Sequence, residues 1–306
     1  MKTFAPLLIF ILFSATLPAQ SFNIGISGGY DIPIASSFNY TKTVEFENQN
    51  FPHYYSTYHE LANTSYGKGG NIAVTMDWYS AKNIGCGLKL NALISTPFSS
   101  SEDVFYLNGT KATFNFTDKP FSFQFVPHIN FKHDFNKVSP YLEMGMLAGI
   151  THITQDYDAK NNTGSEIKSS INNKGNVLLG FYSSLGVAIR MSQVVHFTAS
   201  VNCSAGSYSP AKWERTSFVV NGVDQLSSLR PSEKQGIYVK QLDLTATQTM
   251  YQPSQSLKYA VPFSNVGVNV GFLFVLGTKK TRTPEQIKRW EKLKKELNTN
   301  YFLNQP

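Results

Sequence analysis

Hydrophobic and polar residues alternate with a period of two in eight segments of the chain. In the clearest segment, residues 265–276, valine and phenylalanine alternate with asparagine and glycine. Successive side chains of a β-strand point to opposite faces, so this pattern predicts strands with one apolar and one polar face. The predicted strands are residues 22–32, 71–78, 84–95, 121–132, 142–150, 177–190, 195–203 and 265–276.

The links between the predicted strands are short and long in strict alternation. The short links are residues 81–83, 133–138 and 191–193, and the long links are residues 35–70, 97–120, 152–174 and 206–258. Outer-membrane barrels combine short inner turns, long outer loops and an even strand number, whereas a soluble sandwich gives no reason for this alternation. The sequence therefore predicts an all-β fold, an antiparallel up-and-down transmembrane β-barrel of eight strands, with long extracellular loops and periplasmic termini. A ten-strand barrel, in which a hairpin at Asn108 and Gly109 enters the wall, is the alternative.

The polar faces of the predicted strands carry charges, and the apolar faces carry almost none. An isolated charge in a dry interior is very unfavourable, so the three acids and three bases on the polar faces should pair with one another. The lumen of an eight-stranded barrel is about wide enough for its own side chains. We therefore predict a plugged interior with a polar network made of Asp31, Asp77, Lys89, His128, Lys132, Glu143, Arg190 and His196.

Candidate chemistry is sparse in the sequence. His128 and His196 share the inward face, but their strands are not neighbours and no acidic or cysteine cluster completes a metal site in the sequence. No nucleophile motif accompanies the loop histidines His53, His59 and His152. We therefore predict no catalytic site, no metal and no cofactor.

The chain contains two cysteines, Cys86 and Cys203. Both fall in phase with the apolar face of their strands, and those strands lie on opposite walls of a ring of eight. A disulfide requires Cα atoms no more than about 7 Å apart and side chains that point together. Both cysteines are predicted to be free thiols.

The N-terminus has the features of a secretory signal peptide. Lys2 precedes a seven-residue apolar run at 7–13, and the small residue Ala19 precedes Gln20. No segment approaches the roughly 18–20 consecutive apolar residues of a membrane-spanning helix. We predict a signal peptide at residues 1–19 and a barrel at residues 20–277.

Residues 278–306 are predicted to form a basic periplasmic tail that contains a short helix. Thr283, Pro284 and Gln286 provide a good helix start. Eight basic and three acidic residues lie between 279 and 297, so the tail holds most of the formal net charge of +7. The helix could contact anionic lipid or a periplasmic protein, or remain solvated. Its predicted contact residues are Ile287, Lys288, Trp290, Leu293 and Leu297.

Three stretches carry a resemblance to a known family. They are Asn23-Ile24-Gly25-Ile26-Ser27-Gly28-Gly29-Tyr30, Val126-Pro127-His128-Ile129-Asn130-Phe131, and the closing strand at 266–274. The chain resembles the bacterial outer-membrane protein beta-barrel domain family, the small eight-stranded barrels. The resemblance implies location in the outer membrane, contact with outer-membrane lipid, and assembly by the barrel-assembly machinery. The tail after Gly277 departs from the family pattern, in which the chain often ends at the last strand.

Two functions remain open at this point. The first is a surface structural or adhesion protein that contacts an extracellular ligand through its long loops, of which residues 51–59 are rich in tyrosine and histidine. The second is a membrane component of a secretion or transport assembly that docks a periplasmic partner through its tail. The high isoelectric point of about 9.2 reflects the tail and does not indicate a nucleic-acid partner.

Overall fold

The structure is a computed structural model that describes residues 21–34, 37–45, 55–63, 65–80, 83–105, 111–242 and 250–276. The predicted signal peptide and the predicted tail, including Ile287, Lys288, Trp290, Leu293 and Leu297, lie outside the described residues. Among the described residues, no helix is long and apolar enough to cross a membrane.

Eight antiparallel strands form a closed ring. Each strand pairs with the next along the chain, and β8 pairs with β1 from Phe22 opposite Leu276 to Pro33 opposite Asn265, which closes the barrel. The fold prediction of an all-β, eight-stranded antiparallel barrel is confirmed. The strands are β1 (Ser21–Pro33), β2 (Gly69–Tyr79), β3 (Ile84–Ser95), β4 (Lys111–Lys132), β5 (Val138–Asn161), β6 (Val177–Arg190), β7 (Val195–Tyr208) and β8 (Asn265–Leu276).

The predicted alternation of faces is correct along the barrel wall. On β8, the side chains of Val268 and Val270 are more than half exposed, whereas the intervening Asn269 is 8% exposed. The short links β2–β3, β4–β5 and β6–β7 lie together at one end of the barrel, called here the turn end. The opposite end, where the long links begin, is called the loop end.

Strands β4 and β5, with 22 and 24 residues, are longer than predicted, and each extends about ten residues beyond the loop end. Further strands pair with these extensions edge to edge. They lie in the predicted long loops, where apolar and polar residues also alternate. The resulting open sheet, called here the rim sheet, contains in spatial order Phe98–Phe105, residues 111–120, residues 153–161, Glu166–Lys174, Lys212–Val220, Gln235–Val239 and Ser254–Leu257.

The strand Phe98–Phe105 decides between eight and ten wall strands. It pairs with the extension of β4, from Phe98 opposite Asp118 to Phe105 opposite Lys111, and within the described residues it lies outside the closed ring. The ten-strand alternative is therefore wrong. The tip of this hairpin, including Asn108 and Gly109, lies outside the described residues.

Two sharp changes of chain direction shape the rim sheet. Gly175 and Asn176 adopt φ values of +93° and +51° between Glu166–Lys174 and β6. Asn221 and Gly222 adopt φ values of +50° and +80° at the hairpin after Lys212–Val220. Asparagine and glycine tolerate this left-handed conformation better than other residues, which explains their presence at both positions.

The loop end of the barrel interior holds the main apolar core, called here the apolar plug. Residues 65–68 and 259–264 fold into the mouth, where the amide of Tyr66 donates to Pro262 O at 3.0 Å. The sequence predicts a polar network in the interior, and the structure adds an apolar core at this end, because apolar residues also occupy the inward phase of β3, β4, β5 and β6. The plug consists of Tyr66, Leu93, Val126, Leu147, Ile153, Leu178, Tyr182, Tyr208, Val261 and Phe263.

The remaining elements are short or lie in the long links. Their bounds are Ser37–Glu45 and Tyr55–Asn63, which pair with each other, and Val223–Asp224, Val261–Pro262, the 3₁₀ turn Leu226–Ser228 and the helical turn Pro231–Lys234.

Candidate functional site in the barrel interior

A buried ion pair lies in the middle of the barrel interior. Lys89 Nζ on β3 is 2.5 Å from Glu143 Oε2 on β5 and 2.6 Å from the hydroxyl oxygen of Tyr182 on β6. The side chains of Lys89 and Glu143 are 9% and 6% exposed. The lysine therefore has two oxygen partners in an environment with little access to bulk water, as a buried charge requires.

A second buried pair lies beside the first. His128 Nε2 is 2.8 Å from Asp77 Oδ1, and His128 Nδ1 is 3.0 Å from the carbonyl oxygen of Val126. A carbonyl oxygen can only accept a hydrogen bond, so Nδ1 carries a hydrogen and donates it to Val126. Nε2 then faces the carboxylate of Asp77. Either a proton or a metal cation must lie between these two groups.

Glycines across the strand pairings make room for these side chains. Gly87 lies directly opposite Asp77 on one side and His128 on the other. A Cβ at Gly87 would lie 2.2 Å from Asp77 Oδ1 and 2.7 Å from His128 Nε2, closer than atoms can approach. Because Gly87 has no side chain, Asp77 on β2 and His128 on β4 can meet in front of β3.

Asp31 occupies a separate position nearer the loop end and is held by amides rather than by a base. Its two carboxylate oxygens accept hydrogen bonds from Asn71 Nδ2 at 2.9 Å and from Asn202 Nδ2 at 3.0 Å. Asn269 Nδ2 in turn donates to Asn202 Oδ1 at 2.7 Å. Gly267 lies opposite both Asp31 and Asn202, and it leaves the space in which they meet.

The predicted pairing of three acids with three bases is therefore correct for one pair among the described residues. Lys132 lies at the turn end with Nζ 4.2 Å from the ring centroid of Tyr79, in a cation–π contact rather than against an acid. Arg190 is exposed at the same end, and His196 is half-buried on β7. Neither joins the cluster of Asp77 and His128, because the ends of the strands reach solvent and their charges do not need a buried partner.

A cavity connects this polar interior with the turn end. The empty space within and in front of it amounts to about 730 Å³, part of which is open solvent. Asp134 and Ser139 line it near the turns, and Asp77, Lys89 and Glu143 line its inner part. The apolar plug closes the other end, so the described interior does not form an open channel.

Asp77, His128 and Glu143 form a cluster that sequence reasoning missed. Each offers one ligand atom, and the three atoms lie within 4.8 Å of one another. In the sequence, His196 is the other inward histidine, whereas the acids that reach His128 come from β2 and β5. Two features of the sequence could have indicated the cluster. All three residues are in the inward phase of their strands, and a glycine stands at position 87.

The outer wall of the barrel is apolar and exposed. Leu179, Phe181 and Leu185 on β6 are 62%, 69% and 65% exposed, although their side chains are strongly hydrophobic. Near the turn end the outward residues include five aromatic side chains, those of Phe22, Trp78, Phe131, Phe197 and Phe274.

Cys86 and Cys203 are free thiols, as predicted. They lie on β3 and β7, and Cys203 is exposed on the apolar outer wall.

The loop-end mouth contains a half-buried acid, Asp118, outside the polar interior. The hydroxyl of Tyr66 donates a hydrogen bond to the carboxylate of Asp118 on the extension of β4. Burial raises the pKa of Asp118 above its ordinary value of 3.8, and the hydrogen bonds from Tyr66 and Gln155 oppose this rise. Burial also raises the pKa of Tyr66, so its hydroxyl keeps its proton and remains a donor.

Comparisons with known proteins give only distant structural similarity. No protein-family model matches the chain, and no curated protein matches it. The outer membrane protein OprG from Pseudomonas aeruginosa is similar at 12% sequence identity and a TM-score of 0.36, over 84% of this chain and 96% of OprG. CarO from Acinetobacter baumannii is similar at 15% identity and a TM-score of 0.23, over 69% of this chain and 92% of CarO. The barrel class rests on the closed ring of strand pairings within this chain.

Proposed function

We propose that this protein is an integral outer-membrane β-barrel that anchors the rim sheet at the cell surface, where the rim sheet acts as a structural or adhesive element. The exposed apolar wall supports membrane insertion, because a large apolar surface is unfavourable in water and favourable against lipid chains. The aromatic residues at the turn end suit a membrane–water interface.

The direction of insertion follows from the lengths of the links. Outer-membrane barrels have short periplasmic turns and long extracellular loops, so the turn end faces the periplasm and the rim sheet faces outward. A tilted strand needs roughly 9–11 residues to cross a bilayer. Because β4 and β5 contain 22 and 24 residues, about half of each strand extends beyond the membrane.

The rim sheet is the observation that carries the proposal. An extended sheet of paired strands is a more rigid display surface than a set of irregular loops, since its backbone groups are hydrogen-bonded to one another. The rings of Phe114 and Phe116 lie 5.9 Å and 5.3 Å from that of Tyr157 on its surface. Aromatic groups on a rigid surface provide contact area for recognition of an extracellular ligand.

The proposal gives the buried histidine no catalytic role. Within the described residues, His128 contacts a carboxylate and a carbonyl oxygen rather than a serine or cysteine that it could activate. The expected partners are outer-membrane lipid and the barrel-assembly machinery, with an extracellular ligand at the rim sheet and a periplasmic protein at the tail.

The proposal is tested by shortening the rim sheet. A variant in which residues 212–257 are replaced by a short glycine–serine linker should still insert as a heat-modifiable barrel, but cells that carry it should adhere less to surfaces and to one another. Equal adherence of cells with equal amounts of wild-type and shortened protein would contradict the adhesive role. An epitope placed at Asn221 should be accessible to antibody on intact cells, whereas one placed at Ser192 in the β6–β7 turn should not.

A transport role is the second candidate, and the turn-end cavity favours it. The cavity leads from the proposed periplasmic side to the middle of the barrel, so displacement of the apolar plug would complete a path. Planar bilayer recordings separate the two roles. The adhesive role predicts little steady conductance from the wild type, whereas a stable open state would favour transport.

A further inference from the structure

We propose that Asp77, His128 and Glu143 form a binding site for a divalent transition-metal cation inside the barrel. Their ligand atoms lie within 4.8 Å of one another, and the residues are 2%, 3% and 5% exposed. Two carboxylate oxygens and one imidazole nitrogen make up a donor set that suits Zn²⁺, Mn²⁺ or Fe²⁺.

The hydrogen bonding of His128 is that of a metal ligand. Its Nδ1–H donates to the carbonyl oxygen of Val126 at 3.0 Å, which fixes the ring orientation and leaves Nε2 directed toward the acids. Metal-binding histidines almost always donate their other ring N–H to a carbonyl or carboxylate in this way. When a cation binds at Nε2, it takes the place of a proton, which is released to solvent through the cavity.

The surroundings provide an entry path and a further donor. Asp77 and Glu143 line the inner part of the cavity that opens at the turn end. Asn130, which is 3% exposed, lines the same cavity, and its amide oxygen is buried without a hydrogen-bond partner among the described residues. Its Nδ2 lies 3.5 Å from Asp77 Oδ2, so the amide group is next to the cluster, and its unpartnered oxygen is available as an acceptor for metal-bound water.

Lys89 makes the site selective for cations that form strong bonds with its ligands. Its ammonium group is 2.5 Å from Glu143 Oε2 and repels a second cation. A hard cation such as Mg²⁺, which gains little from imidazole, should not overcome this repulsion, whereas Zn²⁺ should.

The test uses the full-length protein, folded in detergent, stripped with a chelator and then equilibrated with Zn²⁺. We expect about one Zn²⁺ per chain by elemental mass spectrometry after gel filtration, and visible ligand-field absorption when Co²⁺ replaces Zn²⁺. His128→Gln should weaken binding at least about tenfold, because loss of a ligand costs no less than loss of a supporting hydrogen bond. His152→Gln, on the exposed part of β5, is the matched control and should bind as the wild type does.

Lys89→Met provides a variant that should gain affinity, by about tenfold or more, because it removes the repelling charge. This gain keeps the test decisive if His128→Gln does not fold. Absence of Zn²⁺ from both the folded wild type and folded Lys89→Met would overturn the proposal and show that Nε2 holds only a proton. Undiminished binding by His128→Gln would also overturn it, since the metal would then lie elsewhere.

Discussion

Lys89 on β3 and Glu143 on β5 form an ion pair, with 2.5 Å between Nζ and Oε2, across the intervening strand β4. The pairing passes over β4 because both side chains point into the lumen, where residues on non-neighbouring strands can meet. Burial of one charge without the other is far less favourable than burial of the pair. The two residues therefore depend on each other for a stable barrel.

Removal of one partner should be costly, and removal of both should be much less so. Lys89→Met leaves the carboxylate of Glu143 buried without its base and should lower the free energy of unfolding by about 3–5 kcal/mol. The double variant Lys89→Met/Glu143→Leu should recover most of this loss. Urea unfolding from lipid vesicles, with a chelator present, measures the double-mutant cycle. Strictly additive losses would show that the two groups do not interact.

Gly87 is predicted to be required for the buried pair of Asp77 and His128. Gly87→Ala places a methyl group 2.2 Å from Asp77 Oδ1, so the acid must move, and such overpacking costs about 1–3 kcal/mol. Gly70→Ala on β2 is the matched control, because nothing lies within 4 Å of its added Cβ. Urea unfolding compares the two variants. A decrease of similar size in the free energy of unfolding of both variants would show that the buried pair does not need the space at Gly87.

Val270 tests the contact of the outer wall with lipid. Val270→Arg on β8 should lower the free energy of unfolding by about 2–4 kcal/mol near the bilayer midplane, because lipid cannot solvate the charge. Phe116→Arg, on the part of β4 that extends beyond the membrane, should cost much less, since Phe116 is 40% exposed and its side chain meets water. Both are measured by urea unfolding in vesicles, and equal costs would contradict membrane insertion at the proposed depth.

Asp118 should give the loop-end mouth a dependence on pH. Because burial raises the pKa of Asp118 above 3.8, its contribution to stability is fully present below pH 3.8 and is lost as the pH rises through the raised pKa. Thermal unfolding should therefore show a decrease in stability over this range, and Asp118→Asn should remove that decrease. Asp156→Asn serves as the contrast. Hydrogen bonds from Lys119 and Ser170 outweigh partial burial and lower the pKa of Asp156, so its contribution to stability is lost as the pH falls.

Cys86 and Cys203 should both react with a small membrane-permeant maleimide in the unreduced protein. They are free thiols on strands at opposite positions in the ring, so the barrel body lies between them. Mass spectrometry should find two modified cysteines per chain after detergent loosening. A crosslinked peptide that joins the two residues would contradict the strand order.

The barrel wall could be predicted from the sequence because its determinants are local. In β8, the alternation of Val268 and Val270 with Asn269 directly encodes which side chains face lipid, since neighbouring residues of a strand point to opposite sides. The same parity identified Cys86 and Cys203 as outward residues. The eight period-two segments predicted eight wall strands, and the structure excluded the ten-strand alternative.

The contents of the lumen depended on the tertiary structure. The alternation along each strand predicted that Lys89, Glu143, Asp77 and His128 point inward. It carries no information about which inward residues lie at the same level along the barrel axis. That level depends on the register and stagger of all eight strands, which brought Glu143 to Lys89 and His128 to Asp77.

The contacts within the apolar plug also could not be predicted from the sequence, because they join residues that are even farther apart in the chain. Tyr66 and Phe263 are separated by almost 200 residues, and their rings lie with centroids 5.8 Å apart in the mouth. The sequence by itself determined the strands, their faces and the ends at which they turn, because those features follow from neighbouring residues. Only closure of the ring decided which side chains share the interior, because it brings together inward groups from strands that are distant in the chain.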